Sequence, residues 1–158
     1  MQAMGEEAQI IEEFPGLAHD PDFKITSPID TNYNCIAWAV HYNNRWMWPG
    51  GVGTKICDGF QFWPDGIEDS VDVAAFIKAF AQLGYELCES ADFEKGYRKI
   101  ALYVTPNTTE CTHAARQLSN GKWTSKLGKS HDIQHGSPYS LEGNWYGKVY
   151  CIMKVAFR

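Results

Sequence analysis

One cysteine stands where a helix is expected to begin. Thr31 and Asn32 have side-chain oxygens that can cap a helix, and Cys35 follows them at the start of an apolar run over 36–39. Unpaired backbone N–H groups and the helix dipole favour a thiolate there, and the N–H groups can also bind an oxyanion. Cys35 is therefore a candidate nucleophile. The alternative interpretation is a small buried hydrophobic residue.

A nucleophilic cysteine needs a base, and His113 is the best placed of the five histidines. It lies near the start of a predicted strand, away from any helix or turn, and we expect its side chain to face the Cys35 helix. Transfer of the thiol proton to the imidazole would then activate the sulfur. The alternative is a half-buried histidine of the sheet that bonds to a backbone group.

The residue that orients His113 is left open by the sequence. The Asn-Gly pair at 120–121 indicates a hairpin. If the turn contains a glycine bulge, Ser125 lies on the same face of the sheet as His113, whereas a two-residue turn places Thr124 or Lys126 there.

Two further residues can orient the imidazole, because Asp132 and His135 follow the hairpin closely. The sequence does not choose among them and Ser125. The candidate catalytic residues are Cys35, His113, Ser125 and Asp132.

The segment 43–70 has neither a helical nor a strand period, but it is rich in aromatic residues, glycine and proline. Long connections of this kind are often functional, so Trp48 or Trp63 could form the wall of a substrate cleft. The alternative is that the rings pack the loop onto the core. The candidate substrate-binding residues are Asn34, Trp48, Trp63, Lys126 and His135.

A zinc site is the competing use of the histidines. His131 and His135 are four residues apart and have Cys111, His113 or Asp132 as conceivable partners. Gly136 and Pro138 argue against a helix that would align them, and no Cys-x-x-Cys motif accompanies them. We expect no metal and no cofactor.

Helices are predicted mainly in the first half of the chain and strands in the second. Helical spacing predicts helices over 6–14, over 33–42 and from a Ser70 N-cap to a stop at Gly84. Strands are predicted over 85–88, 99–104, 112–118, 122–127 and 148–157. This order predicts an α+β fold in which the N-terminal helices pack on an antiparallel sheet.

Length and charge limit the possible partners. The chain has 158 residues, enough for one domain spanning 1–158, and a formal charge of -5 without a basic stripe, so we expect no nucleic-acid partner. The acidic N-terminus lacks a secretory signal, and no segment has the length and hydropathy of a membrane span. Five cysteines without framework spacing are typical of reduced thiols. We therefore expect a cytoplasmic protein that does not bind membranes.

The order of these elements resembles the papain-like fold, particularly its compact NlpC/P60 amidase branch. A cysteine at a helix start is followed by the strand Lys-Ile-Ala-Leu-Tyr-Val at 99–104, a strand that begins near His113, a glycine turn and another strand. The resemblance covers residues 32–127. It implies that Cys35 is the nucleophile, that His113 is the base and that Ser125 orients His113.

A second resemblance is to a small uncharacterised bacterial domain family. It is carried by the motifs NYNCIAWA at 32–39, THAARQL at 112–118, WTSKLG at 123–128 and DIQH at 132–135.

Together these features predict a cysteine hydrolase that cleaves an amide or peptide bond through a thioester acyl-enzyme. Its partner would be a peptide or another amide-containing substrate. The alternative is a non-catalytic binding module on the same fold that uses the aromatic segment from Trp46 to Trp63 as its recognition surface.

Overall fold

The computed structural model describes residues 2–42, 45–49, 55–56, 59–127 and 130–156. Its helices are α1 (Gln2–Glu13), α2 (Cys35–Ala39) and α3 (Val73–Gln82), with short 3-10 helices at Pro15–His19 and Pro138–Leu141. Its strands are β1 (Lys24–Ile25), β2 (Trp46–Met47), β3 (Lys55–Ile56), β4 (Gly59–Phe62), β5 (Glu86–Cys88), β6 (Tyr97–Val104), β7 (Cys111–Gln117), β8 (Trp123–Lys126), β9 (Asp132–His135) and β10 (Lys148–Ala156).

A seven-stranded sheet dominates the fold, with the strand order β1-β9-β8-β7-β6-β10-β5. Every neighbouring pair in it is antiparallel. A smaller sheet has the order β2-β4-β3 and contains one parallel pair, β2 with β4. The α+β class predicted from the sequence is confirmed.

Both faces of the large sheet are covered. One face packs against α2 and α3 in a hydrophobic cluster that includes Ile36, Phe76 and Leu102. The other face packs against α1 and the adjoining 3-10 helix through Phe14 and Leu17. Because the middle strands are enclosed on both sides, a polar group placed on either face is removed from water and needs a partner.

The helix containing Cys35 is shorter than predicted. It comprises five residues, Cys35–Ala39, and not the ten of 33–42. Its N-cap is Asn34, and the chain leaves the helix through His41, which has a positive φ of 72°. The third helix begins after Asp72, whose side chain caps it, and not after Ser70. Gly84, with φ 94°, follows its end as predicted.

The sequence did not indicate β9 or the small strands β2, β3 and β4. Three of the four residues in β9 are polar, and all four are buried, so the strand shows none of the alternation that marks a half-exposed strand. The small strands are two to four residues long, too short for a period to be visible. The rest of the aromatic segment, at 43–44, 50–54 and 57–58, lies outside the described residues.

Two general findings concern the described residues. None of their helices has the length and apolar character needed to span a bilayer. Their cysteines, Cys35, Cys88, Cys111 and Cys151, are all free thiols.

Gly147 fixes the chain where it enters β10. It has φ 77° and exchanges backbone hydrogen bonds with Gly143, and a Cβ at this position would overlap the carbonyl oxygen of Val104. Only glycine permits this close approach to the end of β6. The approach also sets the position of the preceding residue, Tyr146, whose ring lies in the site described below.

We predict that Gly147→Ala lowers the free energy of unfolding by about 3 kcal/mol. The left-handed backbone accounts for about 1 kcal/mol of this loss, and the overlap with Val104 accounts for the remainder. Gly96→Ala is the matched control, since Gly96 also has a positive φ (88°) but has open space around its Cα. It should cost only about 1 kcal/mol. Urea unfolding measures both, and equal losses would show that the Val104 contact does not constrain the chain.

Candidate active site

Cys35 is the first residue of α2, and its side chain is only 6% exposed. Burial is the largest influence on the thiol and raises its pKa to about 11, although the backbone N–H groups of Ala114 and Ile36 act in the opposite direction. The expectation of a lowered pKa is therefore wrong for the resting protein. Desolvation outweighs the N–H groups, and the sulfur is held as a neutral thiol.

His113 lies in β7 and is fully buried. Its ring stacks on Tyr146, with ring centroids 3.9 Å apart and an interplanar angle of 5°, and it meets the edge of Tyr103 at 5.0 Å. Burial, followed by the electrostatic interaction with His135, holds the pKa of His113 well below its usual range. The imidazole is therefore neutral at physiological pH.

The Nε2 atom of His113 takes part in a buried series of hydrogen bonds. It lies 3.0 Å from the Oγ of Ser125, which lies 2.8 Å from the Nε2 of His135. The Nδ1 of His135 lies 2.8 Å from the carbonyl oxygen of Ser137. We refer to this series, His113–Ser125–His135–Ser137 carbonyl, as the buried relay.

The carbonyl of Ser137, at one end of the buried relay, determines which atom carries the proton in each of its hydrogen bonds. A carbonyl oxygen only accepts, so His135 donates from Nδ1, and burial lowers the pKa of His135 to about 4 and keeps its Nε2 unprotonated. Ser125 must then donate to His135, and its oxygen accepts the Nε2–H of His113. The proton of neutral His113 is thereby assigned to Nε2. Its Nδ1 keeps a lone pair and is a buried atom with no hydrogen-bond partner.

Cys35 and His113 occupy different sides of β7. Cys35 packs with Ala114 in the cluster beneath α2, whereas His113 shares the opposite face with Tyr103 and Tyr146. The imidazole therefore does not face the body of α2, as we had expected, and it makes no hydrogen bond to the sulfur.

Tyr146 connects the thiol and the imidazole only indirectly, because it contacts His113 and interacts electrostatically with Cys35. Strands β7 and β8 pair at only two positions, Arg116 with Thr124 and Gln117 with Trp123. Ala114 lies outside this ladder, and its backbone N–H acts on the Cys35 sulfur. Burial, followed by electrostatic interaction with Cys35, raises the pKa of Tyr146. The same Tyr146 ring stacks on His113.

The hairpin has the register of a glycine bulge. Gln117 pairs with Trp123, and Gly121 has φ 87°. This register places Ser125 on the His113 face, and Thr124 on the other, where its Oγ1 accepts from Trp38 at 3.1 Å. Among the three candidate orienting residues, Ser125 contacts His113 directly and His135 supports Ser125.

Asp132 is not brought to His113. Its Oδ2 accepts a hydrogen bond from the Tyr33 hydroxyl at 2.7 Å, and its Oδ1 is buried without a partner. It pairs with Lys126 in the β8–β9 ladder, on the side of the sheet that packs against Tyr33. Asp132 therefore supports the α2 side of the fold and does not orient the base.

The predicted substrate-binding residues are also occupied inside the fold. Asn34 caps α2 at the Ala37 N–H and bonds both backbone groups of Met47. Lys126 is fully buried, and its Nζ donates to the Asp30 carbonyl at 2.5 Å.

The two tryptophans pack against the core, where Trp63 is buried and Trp48 is partly buried. The rings of Trp48 and Trp63 both meet the edge of Phe76, with centroids 5.2 Å and 5.0 Å apart. His135, the remaining predicted substrate-binding residue, is fully buried within the relay.

Tyr146 and the carbonyl of Ser137 are the members of this site that the sequence did not reveal. A backbone carbonyl leaves no signal in residue types. Tyr146 has a weak one, since it is an aromatic residue between Gly143 and Gly147 in a segment without a period. Within the described ranges, no group of three or more His, Cys, Asp or Glu residues is arranged to hold a metal ion.

We predict that the stability of the protein falls as the pH falls from 7 to 5. The unfolded chain takes up protons at His113 and His135 near pH 6.5, whereas the folded chain does not, because burial lowers both pKa values. More protons bound in the unfolded state mean lower stability at lower pH, by about 4 kcal/mol for the two residues over this range. Urea unfolding at several pH values measures the loss.

Single variants isolate these contributions from His41, whose pKa is also lowered. His113→Asn and His135→Asn should each remove about half of the 4 kcal/mol. A pH dependence that neither variant reduces would contradict the neutral, buried state of the pair.

Comparison with known proteins gives one family. The family model of DUF7689, a domain of unknown function, matches residues 24–154. No curated protein and no solved structure matches the chain significantly. The matched range contains Cys35, Tyr146 and all of the buried relay, and it omits α1. Since the model covers most of the 158 residues, the chain belongs to the DUF7689 family.

Proposed function

We propose that this protein is a papain-like thiol hydrolase that cleaves an amide or peptide bond, with Cys35 as nucleophile and His113 as base. The observation that carries the proposal is the proton arrangement of the buried relay. The relay assigns the proton of His113 to Nε2 and leaves Nδ1 as an unpartnered base, which would take the Cys35 proton once the start of α2 opens.

The reaction begins with a neutral pair. The thiol pKa is raised and the imidazole pKa is lowered, so neither group is charged before substrate arrives. As the sulfur attacks the carbonyl carbon, its proton passes to the Nδ1 of His113. The resulting imidazolium keeps its Nε2–H bond to Ser125, which remains bonded to His135.

Collapse of the tetrahedral intermediate breaks the C–N bond. The nitrogen leaves as an amine with the proton from His113 Nδ1, and the acyl group remains on Cys35 as a thioester. Water then attacks the thioester, His113 takes the proton of this water, and the departing thiolate recovers it. The products are a carboxylic acid and an amine, and the thiol is restored.

Substrate must reach a sulfur that is 6% exposed and a base that is fully buried. The proposal therefore requires a local opening around the start of α2. Such an opening hydrates the thiol and reduces the desolvation that raises its pKa, so access and activation occur together.

We predict that the full chain forms a covalent acetyl adduct on Cys35 when it is incubated with p-nitrophenyl acetate near neutral pH. Intact-mass spectrometry detects the adduct, and hydroxylamine should remove it because it is a thioester. His113→Asn should slow acylation at least about 100-fold through loss of the base. Ser125→Ala should slow it less and shift its pH profile, because the Nε2 proton of His113 loses its acceptor.

The matched control is Cys111→Ser. Cys111 is a second buried free thiol, on the same strand as His113, and its loss should leave acylation unchanged. Cys35→Ser should abolish the thioester. Equal acylation of wild type and Cys35→Ser, or a folded wild type that forms no adduct, would contradict the enzyme proposal.

We also propose, as the second candidate, a non-catalytic binding module on the same fold. Burial favours this candidate, since the Cys35 side chain is only 6% exposed and the His113 side chain is fully buried. In the module the relay would only hold β7, β8 and β9 together. Absence of the acetyl adduct from the folded wild type selects the module over the enzyme.

A further inference from the structure

A cavity of about 410 Å³ lies away from the buried relay, where the C-terminal end of β7 meets the start of β6. Arg116 and Arg98 contribute to it from these two strands, and His41 contributes from the segment that follows α2. Cys35 and the members of the relay are not among its lining residues. It is therefore a separate place in the fold.

The charge of this cavity is opposite to that of the whole protein. Lys95, Arg98 and Arg116 line it, and none of its described lining residues is acidic. The chain as a whole has a formal charge of -5. Three cations on one concave surface attract anions, although the Asp132 carboxylate also acts electrostatically on Arg116, and the low-dielectric walls of a cavity strengthen this attraction.

Arg116 is held in a fixed position, and most N–H donors of its guanidinium have no protein partner among the described residues. Its guanidinium lies 4.4 Å above the Trp38 ring, and its Nη1 donates to the Nδ1 of His41 at 3.0 Å. Its Nε is buried without a hydrogen-bond partner, and within the described ranges no Asp or Glu forms an ion pair with it. Most of its five N–H donors are therefore unused.

His41 ends α2 in the left-handed conformation, with φ 72°, and its ring reaches Arg116 from there. Backbone hydrogen bonds from His41 to Trp38 and from Tyr42 to Ala37 close the helix at this point. Burial, followed by the charges of Arg116 and Arg98, lowers its pKa to about 4, so the ring is neutral and can accept from Arg116. His41 thus holds the guanidinium without neutralising its charge.

The rest of the wall is largely apolar. Phe93, Tyr97 and Leu118 line the cavity beside the three cations. A ligand that matches both parts of the wall has an oxyanion and an apolar body, because the body would be removed from water while the oxyanion pairs with arginine.

We propose that this cavity is a binding site for a small organic anion, a carboxylate or a phosphate ester attached to an aromatic or aliphatic group. Arg116, positioned by His41 and Trp38, binds the oxyanion together with Arg98, and Phe93 and Tyr97 contact the apolar group. The site does not depend on the proposed hydrolase activity.

The test is calorimetric titration of the full chain with benzoate, with phenyl phosphate and with the neutral analogue benzyl alcohol. At least one of the two anions should bind at a stoichiometry of one, and the tighter of them identifies the oxyanion. Benzyl alcohol should bind at least about tenfold more weakly, because it lacks the charge-assisted hydrogen bonds. Equal binding of the alcohol, or no binding of either anion, would overturn the proposal.

Variants locate the site. Arg116→Gln and Arg98→Gln should each weaken anion binding at least about tenfold, and Arg98, which is exposed, provides the test if the Arg116 variant is unstable. Lys148→Gln is the charge-matched control, because Lys148 is exposed and lies outside the cavity. If Lys148→Gln weakens binding as much as the arginine variants do, the anion is responding only to net charge and the proposal fails.

Discussion

The candidate site depends on the hydrogen bonds that connect His113 to the carbonyl of Ser137 through Ser125 and His135. Three polar side chains, those of His113, Ser125 and His135, are fully buried on one sheet face, and each imidazole is neutral because burial lowers its pKa. A carbonyl can only accept, so its position determines the direction of every other bond in the series. The orientation and tautomer of His113 follow from this single fixed end.

The fold supplies the burial that this arrangement requires. Helices cover both faces of the large sheet, and the ring of Tyr146, positioned by the tight approach of Gly147 to β6, closes over His113. The same burial raises the pKa of the Cys35 thiol. Removal from water thus keeps the His113 imidazole neutral. It also keeps the Cys35 thiol protonated, so the thiol is unreactive until it is exposed. A thiol hydrolase built in this way would depend on local opening for its activity.

Much of the fold could be predicted from residue patterns, but the surroundings of the site residues could not. Hydrophobic spacing predicted α3 and the hairpin of β7 and β8. The Asn-Gly pair at 120–121 is compatible with the observed hairpin register, which places His113 and Ser125 on the same face. Strand β9 was missed because it is polar and buried on both faces, so it has no alternation. Exposure was also misjudged: Lys126 looks like a surface residue in the sequence, yet contacts from distant segments enclose it.

The protonation of the two relay histidines tests the account most directly, and nitrogen-15 NMR of the imidazoles at neutral pH reports it. The account predicts that both rings are neutral, with the proton of His113 on Nε2 and that of His135 on Nδ1. A proton on the Nδ1 of His113, whether in the other tautomer or in an imidazolium, would contradict it, because the nitrogen assigned to accept the Cys35 proton would already be occupied.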